Sequence, residues 1–120
     1  MKILIVEDDI TQATYYQTVL TDYDIDVTVN GDDFIMKYDD SYSLLIIDLM
    51  LPKLSGYDLL NFLDSINSTV PVVVISAQDF DRSKLININQ TVTVIRKPIM
   101  SKSLLTIVNE TINTSKTCAK

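Results

Sequence analysis

Five residues in this chain have side chains able to do joint chemistry, and each stands where a run of aliphatic residues stops. Glu7 and Asp8 follow Ile3 to Val6, Asp48 follows Leu44 to Ile47, Ser76 follows Val70 to Ile75, and Lys97 comes shortly after Thr91 to Ile95. Taken singly they are ordinary: a Glu-Asp-Asp run can be a solvated cap, Ser76 a turn residue and Lys97 a surface lysine. Brought to one place they are not. Three carboxylates repel one another and lose hydration, which raises their pKa values unless a cation is bound. The sequence has no histidine and one cysteine, Cys118, so the usual zinc sets are excluded and any metal must be held by oxygen. Mg²⁺ suits such a rim, because it takes one or two carboxylates, keeps several waters and leaves positions for phosphate oxygens. Asp48 is then a candidate nucleophile toward phosphorus, giving an aspartyl-phosphate. Lys97 and the Ser76 hydroxyl can meet the phosphoryl oxygens, and no base is required because an ionised carboxylate carries no proton to remove.

The elements that must position these groups can be read from hydrophobic periodicity. The short continuous apolar runs beginning at Ile3, Leu44, Val70 and Thr91 are expected as buried strands. Asp24 to Val29 alternates with period two and meets Asn30-Gly31, so it reads as an edge strand closed by a turn. Between the strands lie helical patterns. Ile10 to Leu20 has Asp9 as N-cap, Asp32 to Tyr38 is short, and Tyr57 to Ile66 has Ser55 as a candidate cap. Asp79 to Asn89 is expected as a fourth helix, weakened by its Asn residues and its Ile-Asn-Ile-Asn alternation. Ser101 is expected to cap a last helix with Leu104, Leu105, Val108 and Ile112 inward, giving way to a polar tail from Asn113. Five strands alternating with five helices predict an α/β fold, a parallel sheet covered on both faces. In such sheets ligands sit beyond the carboxyl ends of the strands, which selects Glu7, Asp8, Asp48, Ser76 and Lys97.

The bulk properties narrow the function further. At 120 residues and 47% hydrophobic content one domain with a real core is expected. No apolar run is long enough to span a bilayer and no leader is evident, so the expected location is cytoplasmic. A net charge of −6 argues against sequence-independent binding to nucleic acid. Cys118, in the polar tail, is expected to be an exposed thiol without a role.

Several separated motifs, in order, resemble the receiver (response-regulator) domain of two-component signalling. They are Lys-Ile-Leu-Ile-Val-Glu-Asp-Asp at 2–9, Ile-Ile-Asp-Leu-Met-Leu-Pro at 46–52, Gly56, Ile-Ser-Ala at 75–77 and Arg-Lys-Pro at 96–98. The resemblance covers residues 1–116, leaving 117–120 as a polar tail. It implies a doubly wound, flavodoxin-like, three-layer α/β/α fold with strand order 2-1-3-4-5. It further implies Asp48 as phosphoacceptor, Glu7 and Asp8 with Asp48 as Mg²⁺ ligands, and the Met50 backbone carbonyl as a further protein ligand of the ion. Ser76 and Lys97 would be the switch residues, the Lys97-Pro98 bond would be cis, and Asp9 would be a helix cap. The implied partners are a sensor histidine kinase or a histidine phosphotransfer protein, and then a downstream protein or an output domain on a longer chain. The implied role is a signalling switch and not a turnover enzyme.

Two features depart from the family pattern. The position three residues before the lysine usually carries Tyr or Phe, whose rotation reports phosphorylation, and here it is Val94, which cannot swing in that way. The stretch between Ser76 and Lys97 lacks the common Gly-Ala turn. Coupling is therefore expected through loop ordering or a monomer–dimer shift on the last two strand-helix units. The competing readings are a pseudo-receiver that binds partners without phosphorylation and a Mg²⁺-dependent phosphatase. The phosphatase would need a second acid or base beside Asp48, yet position 50 is Met and histidine is absent.

Overall fold

The computed structural model describes residues 1–118, with side chains through Thr114. Each continuous apolar run forms a strand: β1 (Lys2–Val6), β3 (Leu44–Asp48) and β4 (Val72–Ser76) are buried almost throughout. The alternating segment forms β2 (Asp24–Thr28), which is half-buried, and the β-branched run forms β5 (Thr93–Arg96). All pairs are parallel and the order is β2-β1-β3-β4-β5, so β2 and β5 are the edges. This is the expected doubly wound, flavodoxin-like sheet. A parallel sheet needs both faces covered, which is why its central strands carry apolar residues at consecutive positions.

Successive strand residues point to opposite faces and build two core layers. Leu4, Val6, Leu45, Ile47, Val72 and Val74 pack against α2 (Gly31–Lys37) and α3 (Gly56–Ser65), which contribute Phe34, Leu59, Leu60 and Leu63. Ile3, Ile5, Leu44, Ile46, Val73 and Ile75 pack against α1 (Ile10–Val19) and α4 (Ser101–Cys118), which contribute Tyr16, Leu104, Val108 and Ile112. Burying each such side chain is worth about 1.5–3 kcal/mol. The helices start where the sequence places them. The Asp9 carboxylate accepts the Thr11 N–H at 2.9 Å, and Ser55 and Asp58 form a reciprocal capping box. Asn30 accepts the Asp33 N–H at 2.8 Å, so the expected turn at Asn30-Gly31 is also the start of α2. The Lys97-Pro98 bond is cis.

Three expectations need correction. The Leu104 N–H bonds to the Met100 carbonyl, so Ser101 is the first helical residue and Met100 holds the cap position. The helix then continues past Asn113 to Cys118, because Leu104, Val108 and Ile112 keep it seated on the sheet and the polar residues beyond lie on a helix already nucleated. The Cys118 side chain and residues 119–120, where an exposed thiol and tail were expected, lie outside the described residues. The third correction concerns Asp79 to Asn89, which is not an α-helix. It contains one 3₁₀ turn, Arg82–Lys84. Its own polar side chains take the backbone donors that a helix would use: Asp81 accepts the Ser83 N–H at 3.0 Å and Asn87 accepts the Asn89 N–H at 3.1 Å.

That segment is nonetheless held firmly, along one stripe of α3. The Tyr57 hydroxyl accepts the Asp81 N–H at 2.8 Å, and the Tyr57 and Phe80 rings stack at 5.4 Å. Asn61 donates to the Lys84 carbonyl and accepts the Ile86 N–H, Asn87 donates to Asp64, and Gln90 donates to the Leu60 carbonyl. Leu85 is buried in the core beneath. Residues 57, 60, 61 and 64 share a helix face, so these contacts all lie on one surface of α3.

The start of α3 approaches the end of β3 so closely that only glycine fits. The Gly56 N–H bonds to the Leu49 carbonyl at 2.9 Å. A Cβ at Gly56 would lie 2.7 Å from the Leu49 Cα and 2.9 Å from the Asp48 carbonyl oxygen, both backbone atoms that cannot step aside individually. Gly56→Ala should therefore cost about 1–3 kcal/mol of stability by overpacking. Urea denaturation would register this as a lower midpoint with an unchanged slope; an unaltered midpoint would mean that α3 can retreat freely from β3.

Candidate functional site

Because all five strands run in the same direction, their carboxyl ends share one rim, and the chemistry-bearing residues meet there. Val6 is in register with Ile47, and Asp48 with Ile75, which places Glu7, Asp48 and Ser76 on neighbouring strand ends. Ser76 is in register with Arg96, and the Lys97 N–H bonds to the Ser76 carbonyl at 2.8 Å, drawing Lys97 to the same rim. Glu7 and Asp8 follow the last residue of β1. Glu7 is buried and Asp8 exposed.

The structure brings the predicted acids together. Glu7, Asp8 and Asp48 each offer a carboxylate oxygen within 4.8 Å of the others. Lys97 sits between the two buried acids, its Nζ 3.5 Å from Asp48 Oδ2 and 3.6 Å from Glu7 Oε1. Asp48 Oδ1 also accepts the Met50 N–H at 3.1 Å, which orients the carboxylate at the strand end. The Ser76 hydroxyl is fully buried and accepts the Gln78 N–H at 2.9 Å.

One ammonium does not balance this much negative charge. Burial pushes the Glu7 carboxyl up to about 8, with the hydrogen bond to Asp48 and the Asp48 charge acting in the same direction. The Asp9 N–H and Lys97 oppose the rise without cancelling it. Without a cation, Glu7 beside Asp48 thus holds a proton more tightly than an ordinary carboxylate. The donor set consists only of oxygens, its buried acids favour a proton where a positive charge is missing, and one side of the cluster faces solvent. These features fit a hard divalent ion such as Mg²⁺.

Tyr16, buried on the inner face of α1, also belongs to the site. Its hydroxyl lies 3.4 Å from Glu7 Oε1 and 3.4 Å from Gln12 Oε1, and burial followed by the charge of Glu7 pushes its ionisation upward. It stays a neutral donor beneath Glu7. The available signal was a tyrosine on the apolar face of the helix next to an acidic strand end, since a buried phenol requires a partner.

Val94 lies on edge strand β5, in register with Val74 and partly exposed. Two residues on, Arg96 reaches back over the loop after β4. Its guanidinium pairs with Asp79 and donates to the Ala77 carbonyl at 3.1 Å, so the loop that follows Ser76 is tied to the strand that leads to Lys97.

Comparison with known proteins agrees with this geometry. Residues 3–109 match the family described as response regulator receiver domain. The chain is 35% identical over 85 residues to a transcriptional regulatory protein CpxR homolog of Haemophilus influenzae, covering 68% of this chain and 37% of that protein. It is 30% identical over 112 residues to the transcriptional regulatory protein DltR of Streptococcus agalactiae, covering 88% of this chain and 49% of DltR. The chain thus spans less than half the length of these two relatives. Among solved structures, the signal receiver domain of a putative Luxo repressor protein from Vibrio parahaemolyticus superposes with a TM-score of 0.81 at 29% identity, over 96% of this chain and 92% of that one. A CheY-like receiver domain protein from Methanospirillum hungatei has the same fold, with a TM-score of 0.85 at 19% identity over 97% and 96% of the two chains.

The raised Glu7 ionisation has a thermodynamic consequence. A carboxyl that holds its proton more tightly when folded stabilises the fold below its unfolded value, near 4.5, and that contribution is lost as pH rises through about 8. Asp39 and Asp81 are held below the usual carboxylate range and titrate under that window, and no histidine titrates within it. In chelator-treated protein, stability should fall between pH 4.5 and 8, and Mg²⁺ should restore it most at the alkaline end. Glu7→Gln should flatten the slope and stabilise the metal-free protein at pH 8 by about 1–2 kcal/mol, as removal of an uncompensated buried charge does. Chemical denaturation across pH measures both effects, and an unchanged slope in Glu7→Gln would assign it to another group.

Proposed function

Because the chain belongs to the response regulator receiver domain family, we propose that it is the phosphoacceptor switch of a two-component system, with Asp48 as the acceptor. The observation that carries this reading is the placement of Asp48. It is a buried carboxylate at the rim, 3.5 Å from Lys97 and clustered with Glu7 and Asp8. In the proposed reaction an Asp48 oxygen attacks the phosphorus of a phosphohistidine on a sensor kinase or a histidine phosphotransfer protein. The new P–O bond forms as the P–N bond breaks, and the imidazole keeps the electron pair and takes a proton from solvent. Glu7, Asp8, Asp48 and the Met50 carbonyl would hold Mg²⁺, which supplies neutralising charge for the phosphoryl oxygens when bound. Lys97 would exchange its contact with Asp48 for one with a phosphoryl oxygen, and the Ser76 hydroxyl would donate to another.

Both movements act on the segment between them. Ser76 leads into the loop that Arg96 clasps, and that loop continues into the stretch stitched to α3. With Val94 in place of an aromatic switch, the proposed readout is a change in how residues 79–91 sit on α3, either within one chain or at a phosphorylation-dependent dimer contact. Residues 1–116 form the proposed receiver unit, although α4 continues through Cys118, inside the 117–120 stretch expected as a tail. It would work in the cytoplasm as a switch and not as a turnover catalyst. The proposed targets are a downstream protein or an output domain of a longer regulator, without direct contact with nucleic acid.

Incubation with acetyl phosphate and Mg²⁺ should add the mass of one phosphoryl group to the wild type and none to Asp48→Asn, and chelation should abolish the addition. Equal labelling of both proteins would remove Asp48 from its role. A wild type that takes no label would point to a partner-binding pseudo-receiver, and steady phosphate release from a monoester would point to a phosphatase.

The readout has a separate test. A phosphoryl analogue at Asp48 should shift the backbone resonances of residues 78–95, and Asn61→Ala, which removes two stitches, should broaden those of 84–90 while leaving Asp48 labelling intact. Unchanged resonances over 78–95 would exclude this route.

A further inference from the structure

Two tyrosines stand in succession on α1, and the structure sends them to different parts of the site. Tyr16 is buried with its hydroxyl beneath Glu7. Tyr15, partly buried at the margin of the same core layer, donates its hydroxyl to the Ile99 carbonyl at 3.0 Å, on the loop between β5 and α4. The two rings meet edge-on at 6.0 Å. Helix α1 starts at Ile10, directly after the acidic run, so one helix is joined both to the Glu7-Asp8 side and to the loop that follows Lys97.

That loop sets where Lys97 stands. The Lys97 N–H is fixed to the Ser76 carbonyl at 2.8 Å, and its side chain then crosses to Asp48 and Glu7 on a flexible stem. Pro98, which has no N–H to donate, carries the chain off the sheet. Beyond it the Ile99 carbonyl is held by Tyr15, and α4 begins as the Leu104 N–H bonds to the Met100 carbonyl. Anchors at Ser76 and Tyr15 thus bracket Lys97 along the chain. A phenylalanine at 15 would fill the same space, so packing does not call for a hydroxyl there; the Ile99 carbonyl does.

We propose that Tyr15 is a positioning residue for Lys97: through the Ile99 carbonyl it holds the loop after the lysine and keeps the ammonium aimed at Asp48 and at a phosphoryl group arriving there. The kinetic consequence rests on the phosphoacceptor reading of Asp48, and the structural one does not. With the hydroxyl removed the lysine stem samples more positions, and the loss falls on the transfer step and not on cation binding by the acids.

Tyr15→Phe keeps the ring and should fold as the wild type does. Labelling by acetyl phosphate at saturating Mg²⁺ should slow about fivefold, the size of one neutral hydrogen bond, while the Mg²⁺ dissociation constant stays within about twofold. In a Lys97→Ala background the same substitution should change the rate by less than about twofold, because the group it positions is gone, whereas a purely structural tyrosine would cost as much as before. Without any donor, the Lys97 Cε methylene resonances should move in Tyr15→Phe toward those of exposed lysines such as Lys37. An unchanged labelling rate, an equal loss without Lys97, or unmoved Cε resonances would each overturn the proposal. A wild type that takes no label at Asp48 would instead overturn the acceptor reading, and the resonances would then decide the role of Tyr15 by themselves.

Discussion

The site depends on the burial of two carboxylates beside a single ammonium. Glu7 and Asp48 end the adjacent central strands β1 and β3, so the sheet brings them together whether or not their charges are balanced. Lys97 reaches both at about 3.5 Å, yet burial and the Asp48 charge still raise the Glu7 carboxyl above the usual carboxylate range. A site in that condition responds strongly to added charge. A cation can replace the proton, and a phosphoryl group on Asp48 would draw Lys97 away from Glu7. The apolar layers above and below fix the strand ends, so the imbalance is relieved by movement at the rim and not by spreading of the strands.

Much of this could be read from the sequence because it depends on local rules. Continuous apolar runs marked the strands buried on both faces, alternation marked β2 as an edge, and Asp9 and Ser55 marked helix starts. Convergence of Glu7, Asp8, Asp48, Ser76 and Lys97 followed from parallel strands having a common rim. What remained illegible depended on competition between local and tertiary contacts. The helix expected over Asp79 to Asn89 lost to side chains that bond their own backbone, and a further set of bonds to α3 made the irregular form stable. α4 outlasted its expected end because its buried stripe reaches Ile112. Tyr16 was hidden because a buried tyrosine and a buried phenylalanine occupy the same place in a helical pattern, and only the neighbour of the hydroxyl tells them apart.

The segment between β4 and β5 and the residue at position 94 both belong to the β5 edge of the sheet. Phe80 of that segment stacks on Tyr57 of α3, and Val94 stands exposed on the edge strand, where a β-branched side chain suits the pleated surface but has no ring to rotate.

The proposed signal therefore takes a different contiguous route. α3 begins against the Asp48 carbonyl oxygen, at a contact so close that Gly56 cannot carry a side chain, and the stripe that follows on the same helix holds residues 81–90. From the other side, Arg96 ties the loop after Ser76 to β5 beside Lys97. The segment is thus gripped on one side by the helix that abuts Asp48 and on the other by the strand that leads to Lys97. Shifting either grip alone would strain the other, because several hydrogen bonds tie the segment to α3 while Leu85 anchors the middle in the core. A segment held in this way favours two alternative seatings over a graded deformation, which is the physical requirement for a switch.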